Sequence, residues 1–168
     1  FHFDQLHGNE GNDIITLQNS SGGAFGGDGN DTLIGTDVFF GFDDLQGEAG
    51  DDVLQAGADG SNMNGGGGSD QLVSGVGDDQ MEAGRDEFGF DLDNAQDLFV
   101  YTGTGAWSEA GSFFGHTVPG FQDGSDLFDM RDSGLTFADL TIVNEDFQTT
   151  ITSSRGQITI FESFGQEV

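Results

Sequence analysis

Aspartate recurs in this sequence at a fixed place in a nine-residue unit. The unit is clearest as Gly26-Gly27-Asp28-Gly29-Asn30-Asp31-Thr32-Leu33-Ile34 and recurs as Gly65-Gly66-Gly67-Gly68-Ser69-Asp70-Gln71-Leu72-Val73. The pattern is Gly-Gly-x-Gly-x-Asp-x-U-x, where U is a large apolar residue. Its acidic position holds Asp4, Asp13, Asp31, Asp43, Asp52, Asp70, Asp79 and Asp97, and fails at Gly22, Ser61 and Phe88. Glycine admits the positive-φ conformations of a tight reversal, and backbone carbonyls then converge beside the carboxylate. Six to eight hard oxygens of this kind, at roughly 2.3–2.6 Å, suit calcium, whereas the smaller and reluctantly dehydrated magnesium fits such a flexible cage poorly. A merely solvated acidic face would not require glycines at constant spacing.

Such turns need strands to hold them in register. Counted in nines, units begin at residues 8, 17 and 26; Gly35, Thr36 and Asp37 are extra; further units begin at 38, 47, 56, 65, 74, 83 and 92. The U position is apolar throughout: Leu6, Ile15, Ala24, Leu33, Leu45, Leu54, Met63, Leu72, Met81, Phe90 and Phe99. Three residues of strand span about 10 Å and turn one side chain inward, so one apolar residue per unit suffices for a narrow core. A repeat of this period signals stacked supersecondary units.

The 168 residues include 30 glycines, one proline, 17 phenylalanines and no cysteine; 31 acidic residues against three arginines give a formal net charge of −28. Glycine at this density, without a collagen period, disfavours long helices. So negative a surface repels phosphate and anionic lipid, which argues against nucleic acid and membrane insertion. No apolar run reaches spanning length, and no disulfide or thiolate metal site can form. Self-repulsion opposes compaction, so cations are expected to decide whether the chain folds. Asp4-Gln5-Leu6-His7 reads as the end of a repeat, and we expect a piece of a longer polypeptide.

On these residues the chain resembles the RTX (repeats-in-toxin) calcium-binding modules of secreted bacterial proteins, over about residues 1–100. The resemblance implies an all-β fold: a right-handed parallel β-roll of nonapeptide repeats, followed by a C-terminal antiparallel β cap. The chain would divide into a calcium-binding roll, residues 1–100, and a β-rich capping region, residues 101–168. With two units per turn, loops two units apart stack and hold calcium between them. One edge then carries Asp13, Asp31, Asp52 and Asp70, with three gaps. The other carries Asp4, Gly22, Asp43, Ser61, Asp79 and Asp97, where Asp79 and Asp97 form the intact pair. About four Ca2+ sites follow from this count of loop pairs. The resemblance adds carbonyls from positions one and three of one loop and two and four of the next. It implies Gly8, Glu10, Gly27 and Gly29 beside Asp13 and Asp31 for the first site. The second would use Gly26, Asp28, Glu48 and Gly50, and the third Gly47, Ala49, Gly66 and Gly68. Asp59 and Asp86 are the candidates for rescuing loops that lack the usual aspartate.

Beyond residue 98 the ninefold count stops. Leu135–Val143, Phe147–Thr152 and Gln157–Phe161 read as antiparallel strands, and 102–120 as a long loop. Phe121–Met130 resembles the cap that follows such rolls. Catalytic constellations are absent from the sequence. His2, His7 and His116 lack paired-ligand spacing, there is no Gly-x-Ser-x-Gly elbow, and Asp91-x-Asp93 lacks the EF-hand glycine and glutamate. A narrow roll offers no cleft for a carboxylate pair. We therefore expect a non-enzymatic module that folds on calcium binding after secretion, through a type I channel as the resemblance implies, and assists a covalently attached passenger. The alternative is a carbohydrate-binding or adhesive accessory domain, with Trp107 and Tyr101 as a stacking platform or, more simply, as cap packing. Ice binding is disfavoured by the irregular outward row Gln5, Ile14, Gly23, Thr32, Asp44, Val53, Asn62, Gln71 and Gln80.

Overall fold

The computed structural model describes residues 4–18, 21–37, 42–58, 60–75, 77, 79–82, 84, 95–101, 116–121, 127–145, 148–154 and 156–162. Each unit offers one inward side chain, and the repeat strands are three or seven residues long. In the repeats they are β1 (Asp4–Glu10), β2 (Ile14–Thr16), β3 (Gly22–Asp28), β4 (Thr32–Ile34), β5 (Asp43–Ala49), β6 (Val53–Gln55), β7 (Ser61–Gly67), β8 (Gln71–Val73) and β9 (Gln80–Glu82). There follow β10 (Leu98–Val100), β11 (His116–Phe121), β12 (Leu127–Asp129), β13 (Thr141–Glu145), β14 (Gln148–Ser153) and β15 (Gly156–Glu162). Short 3-10 helices occupy Arg131–Ser133 and Phe137–Asp139. Among the described residues no helix is long and apolar enough to cross a membrane.

The strands form two sheets. One runs β1-β3-β5-β7-β9-β11-β15-β14-β13 and the other β2-β4-β6-β8-β10-β12. Pairing is parallel through the repeats and matches U residue to U residue. Leu6, Ala24, Leu45, Met63 and Met81 align in the first sheet. Ile15, Leu33, Leu54, Leu72, Phe99 and Phe128 align in the second. The alternation is clean in β2, where Ile15 is buried between exposed Ile14 and Thr16. From Ala24 and Leu33 to Met81 and Phe99 these inward residues are fully buried, and they are the core. The expected all-β roll is thus the architecture, closed by the antiparallel hairpins β13-β14 and β14-β15.

The inserted Gly35-Thr36-Asp37 lengthens one turn of the roll without disturbing its register, since Leu33 still meets Leu54 and Ala24 still meets Leu45. Two expectations are corrected. Phe99 lies opposite Leu72, not in the sheet of Met81, because this turn is 27 residues long rather than two units, and an odd number of units switches sheets. Phe90 and the rescue candidates Asp59 and Asp86 lie outside the described residues, as does Trp107. Second, Leu135–Val143 is not one strand. The sequence Thr136-x-x-Asp139 forms a capping box that starts a helical turn, and extended structure begins only at Thr141. Parallel pairing also passes residue 100, through β11 and β12. Tyr101 is fully buried with its ring 5.9 Å from that of Phe128, so it packs the end of the roll and offers no face to a sugar.

Candidate metal centre

The loops joining the first sheet to the second, residues 8–13, 26–31, 47–52 and 65–70, stack along one edge of the roll. Their second and fourth positions have left-handed backbone: Asn9 (φ 75°) and Gly11 (112°), Gly27 (110°) and Gly29 (133°), Glu48 (75°) and Gly50 (136°), Gly66 (105°) and Gly68 (127°). The glycine columns of the sequence are the residues that reach this conformation without strain. At Gly50 the neighbour adds a second reason, because a Cβ there would collide with the carbonyl oxygen of Gly29 in the turn before.

The aspartates of this edge form a ladder. Asp13 N–H donates to Asp31 Oδ1 at 2.7 Å, Asp31 N–H to Asp52 Oδ1 at 2.7 Å, and Asp52 N–H to Asp70 Oδ1 at 2.8 Å. Asp70 N–H in turn donates to Asp97 Oδ1 at 2.8 Å. One oxygen of each carboxylate therefore fixes the spacing between turns. The other does something different. Oδ2 of Asp13, Asp31 and Asp52 is buried and has no hydrogen-bond partner. Each points at the first glycine of its own loop, where a carbonyl of the next turn also arrives. A Cβ on Gly8 would lie 2.6 Å from Asp13 Oδ2 and 2.5 Å from the Gly26 carbonyl oxygen. A Cβ on Gly26 would collide with Asp31 Oδ2 and lie 2.7 Å from the Gly47 carbonyl oxygen; one on Gly47 would collide with Asp52 Oδ2 and the Gly65 carbonyl oxygen. Oxygen acceptors converge at these gaps with no donor between them.

Such a donor set fits a hard cation. Among the described residues no three His, Cys, Asp or Glu side chains gather, so a metal here would draw most of its ligands from backbone carbonyls, as calcium accepts and zinc does not. The implied ligands Gly8, Glu10, Gly26, Gly27, Asp28, Gly29, Gly47, Glu48, Ala49, Gly50, Gly66 and Gly68 all lie on this edge, between the aspartates. Carbonyls among them also hold neighbouring turns together: Asp28 O accepts Gly11 N–H and Ala49 O accepts Gly29 N–H, each at 2.8 Å, which leaves each a second lone pair. Burial pushes the Asp52 carboxyl up to about 6; the Asp31 N–H that it accepts pulls it down, and the charges of Asp31 and Asp51 raise it.

Asp97 is the correction at this site. It stacks on Asp70, not on Asp79, and extends the ladder to five aspartates, so the expected Asp79–Asp97 pair does not exist. The cause is the same change of sheet that moves Phe99. On the opposite edge both oxygens of Asp79 and Oδ2 of Asp43 turn back onto backbone. Asp79 accepts Ser61 N–H at 3.0 Å on Oδ1 and Gly75 N–H of its own loop at 2.9 Å on Oδ2; Asp43 Oδ2 accepts Thr36 N–H at 2.7 Å. N–H groups here occupy the positions that are vacant of donors on the first edge.

Sequence reasoning missed a second, outer ladder. Asn12 Oδ1 accepts Asn30 N–H at 3.0 Å, Asn30 Oδ1 accepts Asp51 N–H at 3.1 Å, and Asp51 Oδ1 accepts Ser69 N–H at 2.9 Å. A column of short hydrogen-bonding side chains just before the aspartates was its visible signal. Substitution should distinguish the gaps from ordinary loop surface. Gly26→Ala is expected to weaken calcium binding roughly tenfold, or about 1.4 kcal/mol, because its methyl enters the gap. Gly67→Ala, with nothing within 4 Å of the added carbon, should bind calcium as the wild type does in a calorimetric titration.

A comparison with protein families falls on the same segment. Residues 3–19, 24–37, 39–72, 46–81 and 59–87 match the family model described as RTX calcium-binding nonapeptide repeat (4 copies). No curated protein sequence matches the chain. A similar solved structure is the AlgE6R3 subunit from the Azotobacter vinelandii mannuronan C5-epimerase, 19% identical, with 92% of this chain and 72% of that one covered and a TM-score of 0.36.

Proposed function

The nonapeptide array belongs to the RTX calcium-binding repeat family, and from that premise we propose that this chain is a non-enzymatic calcium-binding module whose folding is coupled to metal binding. The observation that carries the proposal is the set of buried, donor-less Oδ2 atoms of Asp13, Asp31 and Asp52, each facing a carbonyl of the adjacent turn. Four gaps lie along this ladder, between Asp13, Asp31, Asp52, Asp70 and Asp97, and we assign the calcium sites to them. Bound calcium would supply the positive charge that these oxygens lack. The chain's own residues do the rest: Oδ1 atoms set the turn spacing, left-handed glycines aim the carbonyls, and the U column closes the interior. Asp79 is not assigned a site, since backbone N–H groups engage its oxygens.

The wider reading follows the expectation from sequence. With 31 acidic residues and three arginines, a calcium-poor compartment keeps the chain extended and export-competent; extracellular calcium, bound at roughly 10⁻⁴–10⁻³ M, allows it to fold beside an attached passenger. Secretion, the passenger and the division into roll (1–100) and cap (101–168) belong to this proposal. No described residue favours the carbohydrate reading. Equilibrium dialysis against calcium tests the core of it: we expect about four ions bound per chain in excess magnesium, a count based on the gaps and calcium's ligand preference. A chain that retains no calcium at millimolar concentration refutes it.

A further inference from the structure

Gly65 is the first residue of its loop, and its carbonyl oxygen faces Asp52 Oδ2 across Gly47, where a Cβ would collide with both. The residue before it is asparagine. Of the eight asparagines in the chain only Asn64 precedes a glycine, and the same place in the turn before holds Gln46, ahead of Gly47. An Asn-Gly pair carries a reaction of its own. The Gly65 nitrogen attacks Asn64 Cγ, a five-membered succinimide closes, and the side-chain nitrogen leaves as ammonia. Water then opens the ring at either carbonyl, giving aspartate or isoaspartate, with no oxidant or reductant involved. Glycine favours the attack because no side chain shields its nitrogen and its backbone turns freely. At Gln46 the ring would need six members, which close far more slowly.

The folded roll prevents this reaction. Asn64 lies inside β7, opposite Gln46 on one side and Glu82 on the other, so its extended backbone cannot bend the Gly65 nitrogen onto Cγ. Asn64 Oδ1 is buried with no hydrogen-bond partner among the described residues, so nothing would stabilise the negative charge that attack places on it. Both restraints vanish when the chain unfolds. We propose that Asn64-Gly65 is a self-modification site that deamidates while the chain lacks calcium and is protected once calcium folds the roll. This rests on the coupling of folding to calcium. The consequence is irreversible. Isoaspartate sends the main chain through the former side chain and adds one carbon to β7, which moves the Gly65 carbonyl out of the gap between Asp52 and Asp70. Aspartate instead sets a carboxylate opposite the buried Glu82, a like charge. A chain kept too long without calcium therefore loses the means to respond to it.

Incubating the full chain in mildly alkaline buffer with calcium, with chelator, or with urea and no calcium tests this. Peptide mapping with isoaspartyl methyltransferase labelling reads the modification, and circular dichroism reads folding in the same samples. We expect Asn64 to deamidate in chelator and in urea, and at least about tenfold more slowly in calcium, because the reaction draws on the unfolded population. Asn62 and Gln46 should stay intact. Asn64→Gln should abolish the reaction in urea, where the variant's own folding is irrelevant. When calcium is restored, the share of aged wild-type chains that fails to regain β signal should match the share modified at Asn64. An unfolded chain that leaves Asn64 intact overturns the site itself. A chelated chain that stays folded and unmodified, beside deamidation in urea, overturns the calcium dependence and traces the failure to the coupling. Equal rates in folded and unfolded samples, or modified chains that refold and bind calcium fully, also overturn the proposal.

Discussion

In excess chelator the chain is expected to lose its β signal in far-ultraviolet circular dichroism, and to recover it when calcium is restored. The metal-free roll carries three burdens. Asp31 and Asp52 are each 1% exposed, and buried charges without a counter-ion cost several kcal/mol each. Asn9 and Glu48 hold a left-handed backbone at φ 75° that non-glycine residues resist. The core is one side chain deep per unit, and at Ala24 that side chain is a single methyl group. Against these, each site at ten times its dissociation constant adds about 1.4 kcal/mol. Four such sites reach the scale of a whole domain's stability, about 5–15 kcal/mol. Acidity should partly replace the metal. Asp52 ionises at about 6 in the folded chain against 3.8 as its ordinary value, so the folded state holds this proton more tightly than the unfolded state. That stabilisation is complete below 3.8 and disappears as pH rises through about 6. The chelated chain should therefore keep more structure at pH 5 than at pH 8. The calcium-loaded chain should show the reverse, because binding must displace the same proton. A chelated chain with full β signal at pH 8 would end the coupling of folding to metal.

The ninefold count made most of this architecture legible because one physical demand, an inward apolar residue after each turn, repeats without exception from Leu6 to Met81. The strong edge was legible for the same reason. What the count could not supply was how many units make a turn. Phe88 stands at the acidic position of the unit beginning at 83, and three units rather than two separate Leu72 from Phe99. Counting onward in pairs therefore put Asp97 on the wrong edge. Nor did the aspartate column reveal that Asp79 and Asp31 differ. The signal lay elsewhere, in position one of the unit. It is glycine at Gly8, Gly26, Gly47 and Gly65, where Oδ2 needs the space, but Leu17, Val38, Ala56 and Ser74 on the other edge. In the C-terminal region no repeat constrains the reading, and Thr136 with Asp139 overrode an alternation of apolar residues that looked like strand.

That difference between edges is what Asp31→Asn and Asp79→Asn should expose. Asp31 lies between two gaps: its Oδ1 accepts Asp13 N–H at 2.7 Å, and its Oδ2 faces the Gly47 carbonyl across Gly26. Asparagine keeps the acceptor for Asp13 but removes the charge and turns an amide donor toward lone pairs that need a cation. Both adjoining sites should weaken by at least tenfold. Two sites at about 1.4 kcal/mol each remove about 3 kcal/mol, which for a chain of this length lowers the thermal midpoint in calcium by about 6–12 °C. Asp79→Asn removes only one of two hydrogen bonds to backbone, from Ser61 or Gly75, at a cost of about 1 kcal/mol, and should leave the number of bound ions unchanged. Scanning calorimetry with a parallel calcium count separates the two. Should both variants lose calcium to the same degree, the carboxylates of the two edges are equivalent, and the donor-less oxygens of Asp13, Asp31 and Asp52 are not what selects the metal.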